Sequence, residues 1–148
     1  MKKIMLALVL LAVLGSAYWY FIGLAPFTVS VNESMPEEMD VLRQGTFNQV
    51  DSVHKGSGTA KIVQSGDKYF LVLENFKVTN GPDLYVALSK NKAITDTKSA
   101  GEYKLIQPLK GNVGNQVYEI TKEDAENYSS TIIWCERFGV LFSAAELQ

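Results

Sequence analysis

Two hydrophobic patterns divide the chain. Residues 4–27 carry no charge and are almost wholly apolar; at about 1.5 Å per residue, a helix of that length crosses the hydrocarbon of a bilayer. From Gly45 onward the apolar residues come in short runs rich in Val, Ile, Leu, Tyr and Phe, separated by Gly, Asn, Asp and Ser clusters. That is the pattern of strands between turns. The runs 59–64 and 69–76 flank Ser65-Gly66-Asp67-Lys68, which predicts a hairpin. In the second run, alternation assigns Tyr69, Leu71 and Leu73 to one face and Phe70, Val72 and Phe76 to the other, as in a central strand covered on both sides. Leu84, Val86 and Leu88 alternate with Tyr85, Ala87 and Ser89, and Asn80-Gly81-Pro82-Asp83 before them predicts a tight corner. Residues 103–109 predict a weaker strand, with Pro108 marking an edge or a strand end. The runs 117–120, 131–135 and 140–142 bring the count to about seven strands. Thr121 with Asp124 three residues on predicts an N-cap and one short helical turn before Tyr128. Seven strands need two layers to bury both sets of apolar faces, so the expected fold is all-β, an antiparallel β-sandwich or small barrel behind one N-terminal transmembrane helix.

The flanks of the apolar segment give it a direction. Lys2 and Lys3 precede it, Tyr18, Trp19, Tyr20 and Phe21 lie near its far end, and Pro26 follows. The positive-inside rule then keeps the N-terminus cytoplasmic and puts the rest outside, in a single-pass cell-membrane protein. The alternative is secretion after signal cleavage at Gly15-Ser16-Ala17, which would leave the greasy start Tyr18-Trp19-Tyr20-Phe21-Ile22 on the mature chain. A lipoprotein signal needs a cysteine near the end of the apolar run, and the only cysteine is Cys135. Residues 1–29 thus read as a signal-anchor segment. Residues 30–44, polar, acidic and containing Pro36, read as a linker, and residues 45–148 as the β domain.

Composition closes several functional classes. The chain has 148 residues, one cysteine, one histidine and a net charge of -2. It is long enough to bury a core without a disulfide framework. One cysteine makes no internal disulfide, no C-x-x-C redox motif and no Cys/His zinc cluster. No basic run suggests nucleic acid as a partner. Without Lys2 and Lys3 the exported part carries twelve basic against sixteen acidic residues, giving no attraction to acidic lipid. No hydrolase constellation appears, since the single His54 has no G-x-S-x-G partner.

The candidate chemistry is sparse. Cys135 shares a strand face with Thr131 and Ile133, opposite Ile132 and Trp134. It reads either as a small buried hydrophobe or as a reactive thiol or cofactor ligand near a strand end, with Glu136 and Arg137 pulling its acidity in opposite directions. His54 sits in a turn-rich segment and reads as a surface or hydrogen-bonded histidine. Converging with Cys135, it would make a two-ligand site for haem or copper. Asn75, Asn80, Asp83, Asn115 and Gln116 lie around turns, where such side chains bond their own backbone; the functional alternative is a polar rim around a ligand.

The run Leu73-Glu74-Asn75-Phe76-Lys77-Val78-Thr79-Asn80-Gly81-Pro82-Asp83-Leu84-Tyr85-Val86 resembles the DM13 domain family. Gly45-Thr46-Phe47 and His54 with Gly56 and Gly58 are similar to the family's opening. Gly111, Gly114-Asn115-Gln116 and Tyr118 are similar to its middle, and Ile133-Trp134-Cys135 with Phe138 and Phe142 to its close. The resemblance implies a small extracytoplasmic β-rich module acting in redox or electron transfer, through its cysteine as a naked thiol or through a prosthetic group such as haem. It would assign that role to Cys135, with an unidentified redox partner. The rival expectation is a non-catalytic ligand-binding or adhesion module with Cys135 in the core. A disulfide-linked homodimer through Cys135 is a third. Whether the chain is an enzyme is left open, because an electron carrier needs no turnover of its own.

Overall fold

The computed structural model describes residue 5 and residues 9–16, 28–36 and 38–148. The described chain forms β1 (Ser30–Asn32), β2 (Asp40–Thr46), β3 (Gly56–Ser65), β4 (Lys68–Val78), β5 (Leu84–Ser89), β6 (Tyr103–Pro108), β7 (Val113–Ile120), α1 (Lys122–Asn127), β8 (Ser130–Cys135) and β9 (Val140–Glu146). Two sheets result, one ordered β1-β7-β4-β3-β2 and the other β6-β5-β8-β9. The fold is therefore an all-β sandwich. On one side the layers nearly join: Gln44 and Gln148 exchange backbone hydrogen bonds at 3.0 Å.

The core lies between the sheets. Ile62, Leu71, Leu73 and Phe76 face Val86, Leu88, Ile133 and Cys135 there. A second cluster on the other face of the smaller sheet holds Ala87, Ile132, Trp134, Leu141 and Ala144, covered by Ile94 and Ala100 from a loop. Alternation thus sorts β8 as expected, with Ile133 and Cys135 in one cluster and Ile132 and Trp134 in the other. β4 is central between β7 and β3, and β6 is an edge. The helix has the expected cap, a reciprocal pair in which Thr121 accepts from the Asp124 N–H and the Asp124 carboxylate accepts from the Thr121 N–H.

Three expectations change. Among the described residues there are nine strands, because residues 30–44 supply β1 and most of β2 where the pattern suggests a linker. β1 runs parallel to β7, so the domain is not purely antiparallel. Phe76 faces the same core as Leu71 and Leu73, not the face of Val72. The register shifts between Leu73 and Phe76, and Asn75 adopts φ 50. A bulge adds one residue and reverses the parity of all that follows. Gly58 on β3, at φ 101, lets the two backbones meet there, since a Cβ would lie 2.6 Å from the Asn75 carbonyl oxygen.

Most of the expected transmembrane helix over residues 4–27 lies outside the described residues, as do Lys2, Lys3, Tyr18, Trp19, Tyr20, Phe21 and Pro26. Residues 9–16 are helical and mostly exposed. Among the described residues no helix is long and apolar enough to cross a membrane.

Candidate functional site

The chain's one thiol lies at the end of the sandwich where β4 gives way to β5. Gly56 pairs with Val78, Lys77 with Val113, Leu84 with Cys135 and Cys135 with Val140, so these strand ends gather there. The connection Thr79 to Asp83 makes the corner. Asp83 takes φ 64, and its carbonyl accepts from the Glu136 N–H at 3.0 Å, which ties the corner to the end of β8.

Cys135 is free and 0% exposed, and its thiol donates to the Pro82 carbonyl oxygen at 2.9 Å. The sulfur is thus enclosed, and its S–H is spent on that carbonyl. Gly81 beside it lies against the Phe142 ring. The His54 ring packs on the same phenylalanine, with centroids 4.5 Å apart and planes at 67°, an edge-on geometry favoured by ring quadrupoles. His54 Nδ1 lies 2.7 Å from Asp51 Oδ2, while Asp51 Oδ1 accepts from the Val53 and His54 N–H groups. The His54 ring, followed by those two N–H groups, holds the Asp51 carboxyl down to about 2. Cys135 and His54 therefore occupy the same end, linked through the Gly81-Pro82 corner and Phe142.

The other candidates divide between two places. Asn80 and Asp83 form the exposed part of the corner. Asn75 and Asn115 meet at the bulge, where Asn115 Oδ1 accepts from the Asn75 N–H at 2.8 Å and its amide donates to Asn32 Oδ1 at 2.8 Å. Gln116 is buried, donating to the Gly111 carbonyl and accepting from the Tyr118 hydroxyl at 2.6 Å. These contacts give Asn115 and Gln116 structural work in joining strands and loops.

A haem on Cys135 does not fit this packing. The sulfur is enclosed by the inter-sheet core and committed to the Pro82 carbonyl, leaving no open face for a porphyrin. Two surface depressions, one lined by Lys90, Glu102, Tyr103 and Tyr128 and the other by Gln44, Thr46, Thr59 and Glu146, include neither Cys135 nor His54. Among the described residues no three His, Cys, Asp or Glu side chains gather as a metal site.

Pattern reading does not single out Pro82 as the thiol's acceptor or Phe142 as the link to His54. A signal for both lies in Gly81: a glycine before a proline in a corner marks a close approach, here to Phe142, with a Cβ only 2.5 Å from Cζ. No curated protein and no solved structure matches the chain. Residues 46–147, well over half of it, match the family model described as "Electron transfer DM13". That span holds the corner, the cysteine and the histidine alike, and the chain belongs to the DM13 family.

Proposed function

We propose that this protein is an electron-transfer domain anchored to the cell membrane by residues 4–27, its N-terminus cytoplasmic and its sandwich outside, with Cys135 as the redox thiol. The observation that carries the reading is the match of residues 46–147 to a family described by electron transfer. The position of Cys135 supports its choice. It lies at a strand end beside a corner whose Asn80 and Asp83 are exposed, so a movement of that corner would free the sulfur from the Pro82 carbonyl. His54 is a positioning residue in this reading, bracing Phe142 against the corner. A disulfide-linked homodimer through Cys135 would require the same opening in both copies.

The test is oxidation of the folded full-length protein by hydrogen peroxide, followed by trapping of sulfenic acid and mass analysis. Peroxide is reduced to water as the thiol becomes the sulfenic acid. The expected result is capture at Cys135 under native conditions and none in Cys135→Ser, whose circular dichroism stays that of the parent. A visible absorption band that shifts on reduction and vanishes in Cys135→Ser would replace the naked thiol with a cofactor ligand.

A second reading rests on the burial itself. With Cys135 0% exposed and packed with Ile133 and Leu88, the domain also suits a non-catalytic binding or adhesion module in which the cysteine is core. A thiol that reacts only after unfolding would favour it.

A further inference from the structure

We infer that the Cys135 end of the sandwich rests on the outer surface of the bilayer, with Phe138, Val53 and Val29 seated in the headgroup region. The inference rests on the membrane-anchored reading above and adds an orientation to it.

The first support is how the chain enters the domain. The Val29 N–H donates to Asn112 Oδ1 at 2.7 Å, and the Val29 carbonyl accepts from Val113. β1 then pairs with β7 over Ser30–Asn32. The Glu33 carboxylate closes the strap, accepting from the Lys110 ammonium at 2.9 Å and from the Val117 N–H at 2.8 Å. Gly114 permits it, for a Cβ there would overlap the Val31 carbonyl. Only Thr28 separates the apolar segment from the first pinned residue. Extended chain covers at most about 3.6 Å per residue, so Val29 is tethered within about 7 Å of residue 27.

The second support is which end is tethered. β1 enters beside the start of β7, and Val113 pairs with Lys77 at the end of β4. The Val78 N–H donates to the Asn112 carbonyl at 2.9 Å. This is the end that carries the corner, Cys135 and His54.

The third support is independent of the tether. Among the described residues beyond the N-terminal helical ones, the most exposed large apolar side chains are Phe138 at 66%, Val53 at 65% and Val29 at 51%. Phe138 sits in the connection just after Cys135, Val53 precedes His54, and Val29 opens the strap. All three are at the tethered end. The opposite end presents Gly66, Asp67, Lys122, Glu123 and Glu126 to solvent, with half-exposed Val41 and Leu42 on the edge strand β2. At the tethered end the cations Lys55, Lys77 and Arg137 are offset by Asp51, Asp83 and Glu136, so apolar insertion and the tether hold the contact, with little help from net charge. A partner that exchanges electrons with Cys135 then meets it in the plane of the membrane.

The experiment uses the full-length protein in phosphatidylcholine nanodiscs containing a small fraction of lipid with a gadolinium chelate on its headgroup, read by broadening of backbone amide NMR signals. The eleven residues of β4, ten steps of about 3.4 Å, put the two ends roughly 34 Å apart. The expected result is broadening several-fold greater at Val29, Val53 and Phe138 than at Gly66, Asp67 and Glu123, and reduced at residues 53 and 138 in the Val53→Ser/Phe138→Ser variant. Equal broadening at both ends, or more at Gly66, in protein bound to discs overturns the orientation alone. Protein recovered free of lipid overturns the anchor, and the orientation falls with it.

Discussion

The two ends of the sandwich are closed by different chemistry. At the α1 end, polar groups find polar partners: Lys104 reaches the buried Asp124 at 2.7 Å, Asp124 and Thr121 cap each other, and Arg43 donates to the carbonyls of Ala125 and Tyr128. At the Cys135 end, closure depends on a thiol on a carbonyl, a glycine against a phenyl ring and a histidine ring on the same phenyl, while the fold leaves Phe138 and Val53 uncovered. A buried charge that loses its partner is costly, which makes the first end unforgiving. The second end has weak, separable contacts and exposed apolar surface, features of regions that open or bind. The redox role proposed for Cys135 would draw on the second end, while the polar network fastens the first.

The largest expected effect breaks the contrast at its weaker end. In Gly81→Ala the new methyl would lie 2.5 Å from Phe142 Cζ, and the ring, itself 6% exposed and backed by His54, has little room to retreat. Overpacking of this kind costs about 2 kcal/mol. Urea denaturation should show the lower midpoint, and native alkylation of Cys135 should quicken several-fold as the Pro82 carbonyl is displaced. Loss of stability with unchanged labelling would mean that the corner does not control the thiol.

Asp124→Ala tests the other end. It removes the reciprocal cap and the partner of Lys104, at an expected cost of about 1–2 kcal/mol, and should leave Cys135 labelling as it was. Burial alone would push the Asp124 carboxyl up, but the Lys104 ammonium and the Thr121 hydroxyl and N–H overcome this and hold it below its ordinary value. A carboxyl depressed in the folded state stabilises above its unfolded value and loses that contribution as pH falls through the folded one. The parent should therefore lose an increment of stability below pH 3.8, the ordinary value, that the variant lacks. Parallel acid unfolding curves would remove Asp124 from the account.

What the sequence makes legible follows the same division. β3 to β9 show in the alternation of apolar residues because each buries a face, and the facing of Cys135 with Ile133 follows from that alternation alone. β1 and β2 are invisible to it. Their side chains are mostly exposed, and backbone pairing at sheet edges holds them in place. Phe76 is misassigned by one residue because the bulge at Asn75 answers Gly58 on another strand, a match that only pairing reveals. The thiol's acceptor stayed hidden for a similar reason. β5 pairs with β8, more than forty residues on, and that register brings Leu84 beside Cys135.

The smallest effect separates two contributions at the Cys135 end. His54 offers a ring to Phe142 and a nitrogen to Asp51. His54→Ala removes both, and loss of an aromatic pair of this geometry costs about 1 kcal/mol. His54→Phe keeps a ring against Phe142 and drops the Asp51 contact. If the ring is what braces the corner, His54→Phe restores the urea midpoint and the slow labelling of Cys135, while only the Ala variant labels faster. The Asp51 carboxyl should meanwhile rise from about 2 toward its ordinary range in both variants, since the His54 ring is the first cause of its depression. Equal labelling in the two variants would instead make the hydrogen-bonded loop at Asp51 the brace, and the weaker end would then be held, like the stronger one, by a carboxylate.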